Sequence, residues 1–269
     1  MAPVVKRLYR YPRTRHVEGS TILHDDDDHE VLAWELLRGH ELVVEEKIDG
    51  ANVAVSFTED GCLVLQSRNR ILDPKSMEPG GRDAVYRGLA FWAAQHEDLL
   101  WPRLGSRYVL FGEWMRVKQA VFYDALPTAF VEFDVLDKES GAFLSTQRRR
   151  ALLRGLPIVS APVLAQGCFE KLSELLLFLG PSRFKTPDWR QGLRNAVITA
   201  EVTDPDRLVY EADASDDMEG LYLKREEHGI VIQRAKLVRP LRRADGVAAS
   251  RHAITRIKNR IHEDIPSEG

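Results

Sequence analysis

Cysteine is nearly absent: Cys62 and Cys168 are the only two in 269 residues. Two thiols cannot build a disulfide framework, and neither has a second ligand at metal-binding spacing. A stapled secreted scaffold and a structural zinc site are therefore excluded. Both cysteines read as ordinary buried or half-buried thiols in a reducing, cytoplasmic setting. Long apolar runs are missing too. Nothing approaches the roughly 20 residues of a membrane span, and the basic start from Met1 to Arg15 has no apolar core of signal-peptide length. There is no internal repeat and no low-complexity linker. Aromatic residues do not alternate with basic ones, so no stacking platform for an extended single strand is evident.

What is present is an ordinary globular composition, with 44% hydrophobic and 29% charged residues, enough for one large domain. The net charge of −3 hides an asymmetry. Between Arg234 and Arg260 there are nine Lys or Arg and a single acid, Asp245. Such a strip is either a polyanion-binding surface or a solvated helix face.

Apolar spacing predicts helices over His29–Arg38, Asp83–Leu104, Thr146–Gly155, Leu172–Leu179 and Ser250–His262. Strands are expected at Leu42–Val44, Ala51–Phe57, Leu63–Leu65, Tyr108–Phe111, Ala129–Leu136, Leu221–Leu223 and Gly229–Val238. This mixed order suits an α+β domain of antiparallel sheets flanked by helices. The run His24–His29, rich in aspartate, reads as a solvated loop with Asp27 or Asp28 near a helix N-cap. The arm from Tyr11 to His16 either meets a polyanion or packs at the surface.

Six segments carry chemistry in order along the chain: Lys47-Ile48-Asp49-Gly50, Ser67-Arg68-Asn69, Phe111-Gly112-Glu113-Trp114, Phe133-Asp134, Glu219 through Lys224, and Arg234-Ala235-Lys236. In extended chain Asp49 projects to the same side as Lys47. An amine with a free pKa near ~10.4 is a nucleophile only if cations or desolvation lower it. Lys224, Arg234 and Lys236 are candidates for that positive surround, and the carboxylates of Asp49 and Glu219 suit a hard divalent cation.

The order and content of these segments resemble the covalent nucleotidyltransferases, and within them the ATP-dependent RNA ligases of the second, nick-sealing type. The resemblance implies a ligase adenylation (ATP-grasp-like nucleotidyltransferase) domain over residues 1–245, with a short basic helical tail over 246–269 and no C-terminal OB-fold. It implies that Lys47 takes AMP from ATP with Mg²⁺ or Mn²⁺ bound through Asp49 and Glu219, assisted by Lys224 and Lys236. Glu113 would accept from the ribose hydroxyls, Phe133 would stack on the purine, with Phe130 as the alternative register, and Arg68 and Arg234 would contact nucleotide or nucleic acid. Asn52 and Glu46 match the RNA ligase pattern, and a glutamate near an exocyclic amine favours ATP over GTP. Lys118 is either a further phosphate contact or a surface lysine. The implied partners are RNA 5′-phosphate and 3′-hydroxyl ends, with a possible end-processing protein. Two other readings stay open: a DNA ligase or GTP-using capping-type enzyme, and a catalytically reduced RNA-end-binding scaffold.

Overall fold

The computed structural model describes residues 6–21, 30–78, 81–249 and 257–262. Two sheets face each other across a cleft. The first has six strands in the order β2 (Val31–Leu32), β1 (Arg15–Val17), β11 (Ile230–Val238), β10 (Gly220–Glu227), β3 (Glu41–Lys47) and β9 (Val163–Cys168). The second has five, in the order β5 (Leu63–Ser67), β4 (Ala51–Phe57), β6 (Tyr108–Trp114), β7 (Phe130–Asp137) and β8 (Val159–Ser160). Among the described residues five α-helices lie outside them: α1 (Arg87–Leu104), α2 (Thr146–Leu153), α3 (Leu172–Leu176), α4 (Trp189–Thr199) and α5 (Pro205–Glu211). Among the described residues no helix is long and apolar enough to cross a membrane.

The period-two alternation of strands explains how the first sheet divides its labour. In register, Val44 lies opposite Leu223, which lies opposite Ala235, while Leu221 lies opposite Leu237. These side chains and Leu42 form one apolar face, closed by Trp34, Leu37 and Leu175. The alternate residues, Glu45, Lys47, Tyr222, Lys224, Arg234 and Lys236, project from the other face, toward the second sheet. A charged face can be enclosed only if its ions find partners there.

β7 supplies them through a bulge. Phe111 pairs with Asp134 and Gly112 with Glu132, so Phe133 is an extra residue with no opposite number. A bulge re-aims its side chain and releases its backbone groups from the ladder. The Phe133 carbonyl is thereby free to accept from both Arg149 and Lys224.

Several expectations are corrected. The sheets are mixed rather than antiparallel, because β1 runs parallel to both β11 and β2, and β8 parallel to β7. The arm Tyr11–His16, expected either to meet a polyanion or to pack at the surface, is partly a strand with His16 buried, and its Tyr11, Pro12 and Thr14 line the cleft. Of the segment His29–Arg38, the described part is β2 followed by one 3-10 turn, Trp34–Leu36. Pairing of Val31–Leu32 to β1 wins over helical spacing, leaving Val31 51% and Leu36 50% exposed while Leu32, Trp34 and Leu37 turn inward. α1 starts at Arg87, because Asp83 is a buried acceptor for Arg70 and Ser76 instead of a helical residue. Both cysteines are exposed.

The tail is also different. Residues 250–256 and the aspartate run 24–29 lie outside the described residues, but 257–261 are not helical. They run along the loop after β6, bridging Lys258 to Val117 and Ile261 to Leu126. Ile261 is fully buried within the main core. Replacing Ile261 by Ala is expected to destabilise the protein by about 2–5 kcal/mol in chemical denaturation, the range for a buried Ile truncation; a change below about 0.5 kcal/mol would mean the segment is not docked.

Candidate active site

The cleft between the sheets has a volume of about 480 Å³, the size of a small-ligand pocket. Glu46, Lys47, Asp49, Asn52, Arg68, Glu113, Phe133, Glu219 and Lys236 all line it. Lys224 and Arg234 do not. They lie one layer beneath, in the charged seam between the sheets.

Lys47 is the last residue of β3, paired with Gly220 at the start of β10. This register sets its ammonium against the Glu219 carboxylate in a hydrogen-bonded ion pair, with the lysine side chain 21% exposed. Of the expected positive surround, Lys236 lines the same cleft, while Lys224 and Arg234 are paired in the seam beneath. Burial pulls the Lys47 pKa down, but Glu219, Asp49 and Glu113 outweigh it and hold the ammonium above its ordinary value. In this state the amine is protonated.

Glu113 shows the same crowding from the other side. Its Oε2 is enclosed and has no hydrogen-bond partner. Burial is the main cause of a pKa pushed up to about 8, opposed by Lys47 and reinforced by Asp49 and Glu219. Asp49 is held more firmly: its Oδ2 accepts from the Val121 N–H at 2.7 Å, and its own N–H donates to the Tyr123 hydroxyl at 3.0 Å.

Among the described residues no three His, Cys, Asp or Glu side chains form a ready-made metal cage. The surplus of carboxylate charge and the orphaned Glu113 oxygen nevertheless fit a hard cation of the kind held by one or two carboxylates together with substrate phosphates.

Below the cleft runs a ladder of buried ions. Arg149 bonds Glu45 and, at 3.2 Å, Glu132. Lys224 contacts Glu45 at 2.8 Å and Asp134 at 3.1 Å, and Arg234 reaches Asp134 at 3.0 Å. Burial raises the Asp134 pKa, but Lys224 and Arg234 outweigh it and keep it below the usual value. Tyr11 donates to the same carboxylate and also meets Tyr222 at 2.7 Å. The Tyr11 ring stands edge-on to Phe133 at 5.1 Å, fixing that ring at the cleft wall. Phe130, by contrast, is stacked on Trp92 in the core at 4.5 Å.

Glu46 is buried, and its carboxylate accepts from the Ser182 hydroxyl at 2.5 Å and the Arg183 N–H at 3.2 Å. Burial is the largest influence on its pKa, which stays raised despite those bonds. Asn52 lies opposite Glu113 in the β4–β6 ladder. Lys118 is neither a cleft residue nor a surface one: it is buried, and its ammonium donates to the Gln119 and Ala120 carbonyls at 2.9 and 3.1 Å. Much of the basic strip is also matched locally, with Arg239 bidentate on Asp213 and Arg243 on Asp245.

A protein-family model described as RNA ligase matches residues 40–238, about three quarters of the chain. The chain belongs to the RNA ligase family. No curated protein matches the sequence significantly. Solved structures share the fold: Naegleria gruberi RNA ligase with pyrophosphate (20% identity, TM-score 0.50), a lysine-to-alanine variant with ATP and Mn (18%, 0.50) and a glutamate-to-alanine variant with AMP and Mn (18%, 0.52). In each case 76% of this chain and 51% of the other is covered, so the chain spans about half the length of these solved relatives.

Several residues of this RNA ligase domain carry no motif signal. Arg149 reads as part of a basic helix face, yet it is fully buried. Tyr11, Ser182 and Asn259 reach the site from distant segments, and only the pairing of β1 with β11 and the docking of the tail reveal them. The raised pKa of Glu113 has a sign: its folded value of about 8 lies above the ordinary 4.5, so the folded state holds a proton that the unfolded chain has lost. Stability should therefore fall as pH rises from about 4.5 to 8. In nucleotide-free protein, Glu113→Gln is expected to flatten this fall in denaturation curves measured across that range; an unchanged slope would contradict the assignment.

Proposed function

We propose that this chain is an ATP-dependent RNA ligase, or its adenylation domain, with Lys47 as the AMP acceptor. The observation that carries this reading is the position of Lys47 at the end of β3, against Glu219 and in one cleft with Asp49, Glu113, Phe133 and Lys236. The ATP, AMP, pyrophosphate and Mn in the solved Naegleria gruberi relatives support the same substrate class.

Asp49 and Glu219 are the carboxylates that would hold Mg²⁺ or Mn²⁺, which when bound would offset their charge and that of the triphosphate. The residues then divide the work. Phe133 stacks on the adenine, and Glu46, oriented by Ser182 and Arg183, accepts from its amino group and disfavours guanine. Glu113 meets the ribose hydroxyls, while Asn52, Arg68 and Lys236 contact the sugar and phosphates. Lys224 and Arg234 act from the seam beneath, keeping the cleft floor in place. Lys47 must first give up a proton, for which the adjacent Glu219 carboxylate is the acceptor at hand. Its nitrogen then attacks the α-phosphorus, forming a P–N bond as pyrophosphate leaves. AMP next passes to an RNA 5′-phosphate, and a 3′-hydroxyl displaces it to give the phosphodiester. Alignment and charge stabilisation do most of this chemistry.

Intact-mass analysis after incubation with ATP and Mg²⁺ should show one added AMP, mapped to Lys47 and abolished in Lys47→Ala. An unmodified Lys47 under ATP, GTP and either metal would leave the binding-scaffold alternative. Labelling by GTP in preference to ATP would favour the capping-type reading. Sealing of a nick in DNA but not in RNA would favour a DNA ligase. Phe133→Ala should raise the KM for ATP about tenfold or more, the value of one base–aromatic stack.

A further inference from the structure

The loop from Met115 to Leu126 runs beside Asp49-Gly50, and two of its residues press on that dipeptide. The Tyr123 hydroxyl accepts the Asp49 N–H at 3.0 Å. A Cβ added at Gly50 would lie 2.6 Å from the Met115 sulfur and 2.9 Å from Glu113 Cβ, so a side chain there would require both to shift. Between these residues, Val121 donates its N–H to the Asp49 carboxylate at 2.7 Å.

Asn259, far along the chain, ties the same two residues together. Its Oδ1 accepts from the Tyr123 N–H at 3.0 Å, and its Nδ2 donates to the Met115 carbonyl at 2.7 Å. The side chain is buried, so neither bond competes with bulk water. A primary amide offers an acceptor and a donor in a short fork, which is what this loop requires; an ionised Asp can only accept. The backbone bonds Lys118–Ile257, Asn259–Arg116 and Arg260–Tyr123 do not involve the Asn259 side chain. Truncating it therefore leaves the segment docked while loosening the grip on the loop.

We infer that Asn259 is a positioning residue: through Met115 and Tyr123 it fixes the loop that orients the Asp49 carboxylate beside Lys47. This rests on the reading of Lys47 as the AMP acceptor. It gives the 257–262 segment a part in the adenylation step itself, in place of an RNA-gripping role.

The test is single-turnover AMP transfer to Lys47, followed by intact mass, in full-length wild type, Asn259→Ala and Asn259→Asp, with thermal melting in parallel. In folded variants the rate at saturating ATP should fall by about tenfold to a hundredfold, as expected for a slight misplacement next to the reacting group. Final labelling should still be complete, and the KM for ATP unchanged. Wild-type rates in folded Asn259→Ala would overturn the inference, as would a rise in KM alone. So would incomplete labelling at the normal rate, because that marks partial unfolding. If Asn259→Ala does not fold, Tyr123→Phe decides on the same criteria, since it removes only the hydroxyl that holds the Asp49 N–H. Failure of the wild type to take AMP at Lys47 is a separate result, visible before any variant is compared, and it overturns the function rather than the role of Asn259.

Discussion

The seam of buried ions linking Arg149, Glu45, Lys224, Asp134 and Arg234 is the constraint from which the site follows. A charge removed from water is tolerable only when paired and hydrogen-bonded, and breaking one such pair is strongly destabilising. Here the charged face of one sheet meets Asp134 and Glu132 on the other, so the two sheets cannot slide without stranding an ion. That lock fixes the separation of the cleft walls. It also sets the level at which Lys47 emerges on one side and Phe133 on the other.

Within the cleft the electrostatic logic reverses. The seam balances its charges, whereas the surface above it crowds Glu219, Asp49 and Glu113 around a single ammonium. The ligand-free protein therefore keeps its candidate nucleophile protonated and inert. Of the three cations expected to surround Lys47, Lys224 and Arg234 are occupied by the seam, and Lys236 lines the cleft.

Much of this could be read from the sequence, because the side chains that line the cleft recur in a particular order along the chain. Lys47-Ile48-Asp49-Gly50, Glu113, Glu219 and Lys236 announce themselves by type and spacing, and the strands β4, β6, β7 and β10 by alternation. What was hidden depends on long-range pairing. The arm at Tyr11–His16 has no local strand signal, and becomes one only by lying beside β11. β9 shows no clear alternation, whereas α4 carries Trp189, Leu193 and Val197 at helical spacing, a signal that was legible and went unread. The tail's isoleucines have helical spacing, yet at 257–262 they satisfy an adjacent loop instead, since bridges to Val117 and Leu126 bury them better. The bulge at Phe133 has no sequence mark at all, because any residue can be the extra one when its carbonyl is wanted elsewhere.

The parallel pairing of Arg15 with Ala235 has a consequence for the order in which the chain matures. During synthesis the first strand leaves the ribosome long before its partner exists, and a contact of such sequence separation forms slowly. The second sheet, built from strands nearer to one another, can assemble meanwhile. Tyr11 must then wait for the final strands before it can settle against Asp134. A nascent chain can thus form the wall that carries Glu113 and Phe133 early, whereas Lys47, whose strand pairs with β9 and β10, and the closed chamber around it must wait for those later strands.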